Sequence, residues 1–216
     1  MLLASPAMQF ATQLHAQTTP QQKAGSPDAL FAERLNRNIK SMTAGEDSES
    51  AVFNARISAM NDAKPLDPRH LDSADVAANV ALVLDFTSYL KHERQWSDSL
   101  AQSFNDSMYV LSEERPADLK VLDASEDEAS FKIERAAFNT FLDAMNKVYA
   151  DVLDVLIFMQ HTHYTIAKNR PVFETRADVK EYIKLTGTVD DDSKALNKAN
   201  QDLRAANEQA NALLKK

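Results

Sequence analysis

An all-α fold follows from three observations. Between Pro68 and Pro171 the chain carries a single helix breaker, Pro116, and no glycine. Apolar residues recur at helical spacing on both sides of Pro116. The whole chain of 216 residues holds only 3 glycines, Gly25, Gly45 and Gly187, too few for the turns of a β or α/β domain. The expected architecture is an elongated helical bundle built on a long antiparallel helical hairpin. Shorter helices flank it, and a heptad-patterned helix closes the chain. At about 1.5 Å per residue, each arm of the hairpin spans roughly 60 Å.

The elements follow in chain order. Residues 1–17 read MLLASPAMQFATQLHAQ. The apolar start and the Leu14-His15-Ala16 end resemble the latter part of a secretory signal, which places an exported protein ahead of a cytoplasmic one. There is no basic leading region, and Pro6 and Gln9 interrupt the run, so an arm or short helix lying on the bundle is the other reading. A Gln/Thr/Pro/Gly linker follows to residue 27. Ser26-Pro27 then opens a helix over 28–44, with Ser as cap and Pro in the first turn. Phe31, Leu35, Ile39 and Met42 form its stripe, and Gly45 is expected to end it. A second helix over 47–63 carries Val52, Phe53, Ile57 and Met60 and stops at Pro65 and Pro68.

The third helix starts near Asp72 and runs to about Glu113. Val76, Val83, Leu90, Phe104 and Leu111 form one column and Leu82, Tyr89 and Trp96 another. That face is too wide for a single partner. Residues 114–124 form the hinge. The fourth helix opens at Ser125-Glu126-Asp127-Glu128, with acids at the positive end of its dipole. Its column Phe131, Phe138, Met145, Val152, Met159 and Ile166 predicts that it continues to Pro171. A short helix over 175–186 should end at Gly187. The last helix, from Asp190 onward, carries a narrow alanine-rich stripe of Leu196, Ala199, Leu203, Ala206, Ala210 and Leu213. The predicted organisation is therefore an arm and linker (1–27), a bundle domain (28–186) and a coiled-coil-like helix (187–216).

Charge and composition narrow the function. A formal net charge of -8 with basic residues scattered among acids is the wrong sign for a nucleic-acid binder. No polybasic run offers itself to an anionic membrane. The most apolar run, residues 152–159, is interrupted by Asp154 and is far too short for a transmembrane span. Zero cysteines exclude disulfides and thiol chemistry.

No motif points to catalysis, a cofactor or a metal. His161 and His163 are two apart, so on one helix they face away from each other. Asp151 and Asp154 fall on the expected solvent face. More informative are Glu93, Ser97, Ser107, Glu134 and Thr162, polar residues at core-type positions, because a buried polar group must find a partner. Symmetric folding about the hinge would bring Glu93 near Tyr149 and Asn79 near His163. These four either specify register or form a polar patch in an apolar groove.

The expected function is that of a non-enzymatic interaction or assembly protein. The stripe from Leu196 to Leu213 would meet a protein partner or a second copy, or pack within the chain as a further bundle helix. The alternative is a carrier holding a small apolar ligand or lipid between the two long helices.

Overall fold

The computed structural model of the chain describes residues 27–113 and 124–213. The expectations for residues 1–26, for most of the hinge and for Lys215 and Lys216 lie outside them. So do those for the side chains of Phe31, Leu35, Ile39, Met42, Phe104, Ser107, Leu111, Phe131 and Leu213, and for the acidic cap of the fourth predicted helix.

Four α-helices dominate the described residues: α1 (Pro27–Ala63), α2 (Ser73–Glu113), α3 (Ala124–Gln160) and α4 (Arg176–Leu213). The all-α bundle and its α2–α3 hairpin are as expected. The flanking helices are not short, however. α1 has 37 residues and α4 has 38, against 41 and 37 in the hairpin. Neither Gly45 nor Gly187 breaks its helix. A glycine costs a helix interior only about 1 kcal/mol, less than one buried apolar side chain returns. A Cβ on Gly45 would meet Trp96 at 4.0 Å, and one on Gly187 would meet nothing within 4 Å. Both sites thus present ordinary helical backbone.

The second correction lies after α3. The helix stops at Gln160, and the chain forms a hairpin of β1 (Tyr164–Ala167) and β2 (Arg170–Phe173). Lys168 and Asn169 both have positive φ, 50° and 57°, the signature of a two-residue type I′ turn. Thr162 bonds back to the Phe158 carbonyl at 2.7 Å as the helix ends. The strands are rich in β-branched and aromatic residues, which suit a pleated surface better than a helix. Thr175 then opens α4 with a reciprocal cap. Its hydroxyl accepts from the Asp178 amide at 3.1 Å and donates to the Asp178 carboxylate at 2.7 Å. At the start of α2, Asp72 accepts from the amides of Ala74 and Asp75.

The chain divides into two compact units, each with a segment of all four helices. The first comprises, among described residues, 27–54, 94–113, 124–138 and 203–213. Phe53 meets Phe138 edge-on at 6.0 Å, and Arg135 bonds Asp98 at 2.6 Å. Ala101, Leu203, Ala206 and Ala210 are buried, as is the Glu134 carboxyl.

The second unit comprises residues 55–93 and 139–202. Its core includes Met60, Leu71, Val76, Val83, Phe86, Val155 and Leu156. Phe86 meets Tyr149 edge-on at 4.7 Å, which sets the α2–α3 register. Phe86, not Glu93, is thus the α2 residue whose ring packs on Tyr149, a shift of about two helical turns from symmetric folding. Phe173 of the hairpin sits within 5.7 Å of Phe158 and Tyr164 and 5.0 Å of Tyr182, centroid to centroid. This aromatic cluster fastens the hairpin to α3 and α4. Arg56 pairs with Asp85 and lies 5.2 Å above the Tyr89 ring, joining α1 to α2.

Candidate functional site

A concave feature lies within the second unit. It is an open cleft of about 440 Å³, built where α1 ends against α3 and α4. Met60, Asn61 and Lys64 come from the end of α1, and Pro65, Leu66 and Asp67 from the loop that follows. Val148, Tyr149 and Val152 form the α3 wall, and Val189 and Ser193 the α4 wall.

The loop wall is held rigidly. Lys64 ends α1 in the left-handed region, with φ 46°. Its amide still reaches the Met60 carbonyl at 3.3 Å, and its own carbonyl accepts from the Asp67 amide at 2.8 Å. Asp67 caps the 3-10 turn Pro68–His70 by accepting from the Arg69 amide at 3.0 Å. The Arg69 guanidinium grips the same carboxylate twice, at 3.0 and 2.7 Å, holding it well below the usual carboxylate range. From α2, the buried Asn79 amide donates to the Pro65 carbonyl at 3.1 Å and the His70 carbonyl at 3.0 Å. From the hairpin, Tyr164 donates to the Leu71 carbonyl at 2.6 Å. A loop with this many bonds holds the cleft open before any ligand arrives.

One step round the α3–α4 interface lies a charged cluster. Lys147 bonds the Asp192 carboxylate at 2.8 Å. Burial, and then a hydrogen bond shared with Asp192, push the Asp151 carboxyl up to about 6. The Oδ2 atoms of both aspartates are buried and have no hydrogen-bond partner among the described residues. Asp192 is held low by Asp151 and Lys147. Asp151 is half-buried and faces Asp192 of α4, whereas the heptad frame placed it on a solvated face. Asp154 is exposed, as expected.

The four polar residues singled out in sequence stand in different settings. Tyr149 lines the cleft; it is half-buried, and burial raises its phenol above the ordinary value. Asn79 stands behind the loop wall and shapes it. Glu93 is buried and accepts from Tyr89 on its own helix at 3.1 Å. His163 is exposed in the turn after α3. In the C-terminal stripe, Ala199, Leu203, Ala206 and Ala210 are buried within the chain and Leu196 is half-buried. The cleft residues missed in sequence are mainly Lys64, Pro65, Leu66, Val189 and Ser193. The prolines marked only the end of a helix, and nothing local shows that their loop folds over α3.

Among the described residues, no helix is long and apolar enough to cross a membrane, and no group of three or more His, Asp or Glu side chains could hold a metal ion. Comparison with family models, with curated proteins and with solved structures gives no match.

Proposed function

We propose that the protein is a non-enzymatic binding module that holds a small, largely apolar ligand in the cleft between the end of α1, α3 and α4. The preformed cleft carries this reading. Its volume of about 440 Å³ falls in the range of small-molecule sites, and its walls combine apolar side chains with a few polar groups at fixed places. Of its two acidic and basic lining residues, Asp67 is engaged by Arg69, which leaves no carboxylate free for acid–base work. Assembly through a helix face remains a second reading. Val179 and Ile183, one turn apart on α4, are 39% and 63% exposed, whereas most of the C-terminal stripe is already covered.

Calorimetric titration with octan-1-ol tests the binding reading. One equivalent per chain should bind, and Ser193→Phe, which fills the cleft from a half-exposed position, should abolish binding while leaving the melting temperature within a few degrees. Absence of saturable binding to the unmodified protein would refute it.

A further inference from the structure

Among its described lining residues the cleft carries one cation, Lys64. Lys64 is exposed on its rim and makes no ion pair with a described residue. The other charged residue lining the cleft, Asp67, is engaged by Arg69, and Asp192, next to the lining Ser193, by Lys147. Lys64 is also in an unusual backbone state. It takes the left-handed position that follows a helix, with φ 46°, where glycine or asparagine is favoured and another residue costs roughly 1 kcal/mol. Attraction to the negative end of α1 offsets part of that cost. It does not require the side chain to border an apolar cavity. The cleft thus combines a cation with the apolar side chains of Met60, Pro65, Leu66 and Val152.

Resting on the binding reading above, we infer that the ligand is a single-headed anionic amphiphile, its tail among the apolar walls and its head against the Lys64 ammonium; a medium-chain carboxylate is the simplest member of the class. The head stays partly in water, so the pair is salt-sensitive and modest in strength. Lys64 thus sets which ligand is chosen, and the apolar walls set how tightly the tail is held.

Octanoate and octan-1-ol share a tail and differ at the head. Both are titrated at low salt into the unmodified protein, Lys64→Gly and Lys64→Arg. Glycine is at ease at this φ, so that variant keeps the fold; arginine keeps the charge. Lys64→Gly should weaken octanoate about five-fold and leave octan-1-ol within two-fold. Lys64→Arg should retain octanoate binding. If both ligands bind and Lys64→Gly changes neither, the head-group inference is overturned while the cleft reading stands. If it weakens both equally, Lys64 acts through cleft shape and the inference is likewise overturned. If neither ligand binds the unmodified protein, the cleft reading fails and the inference with it.

Discussion

Glu134 shows what one residue can contribute against the fold. The residue is 2% exposed, and among the described residues its Oε2 has no hydrogen-bond partner. Burial alone pushes it from the ordinary 4.5 up to about 8. The folded protein therefore holds this proton more tightly than the unfolded chain does. Its contribution to stability is complete below about pH 4.5, declines as pH rises toward 8, and is lost above. Glu134→Gln removes the ionisable group and keeps the shape. It should stabilise the protein by about 1–3 kcal/mol at pH 8.5 and by much less at pH 5. Urea denaturation at the two pH values measures this, and an equal effect at both would rule out the burial account. The sequence marked Glu134 as polar at a core position. It did not reveal that the partner would be missing, because a partner on another helix is a matter of register.

At the scale of elements, continuity of α1 and α4 through their glycines is the feature most at odds with local rules. Gly187 is exposed with open space around its missing Cβ. Gly187→Ala should therefore raise stability by about 1 kcal/mol, seen as a higher thermal midpoint with unchanged helical circular dichroism. A loss of stability would mean that the chain turns at Gly187, as its sequence alone suggests. The long hairpin helices were legible because nothing but Pro116 opposes them between Pro68 and Pro171, and wide apolar faces reward packing. The β-hairpin was not, because Ile166 continues the heptad column of α3 by coincidence. The cue passed over was local: Tyr164, Thr165 and Ile166 in succession, then Lys168-Asn169 in a turn that tolerates positive φ. Tertiary packing of Phe173 on Phe158 and Tyr182 then stabilises what a periodicity argument would have kept helical.

At the scale of the whole molecule, segments of α1, α3 and α4 within the second unit surround the proposed ligand cleft. The framework was readable from pattern; the cleft was not. Only Tyr149 of the expected polar residues lines it. Its loop wall depends on Asn79, which bonds carbonyls nine and fourteen residues away, and such pairings leave no periodic trace. The C-terminal stripe was legible as a helix face. Its burial within the chain favours the cis alternative, because a narrow alanine-rich stripe suits close packing on a neighbouring helix of the same bundle as well as on another molecule. The most direct test uses protein labelled with 13C at its methionine methyls, the Met60 signal being assigned with Met60→Leu. All three of Met60, Met145 and Met159 are buried, but only Met60 lines the cleft. Addition of octan-1-ol should shift the Met60 methyl resonance progressively to saturation, with Met145 and Met159 changing far less. A Met60 signal that stays in place while the ligand binds, or methyl signals that all move alike, would contradict a ligand site in this cleft.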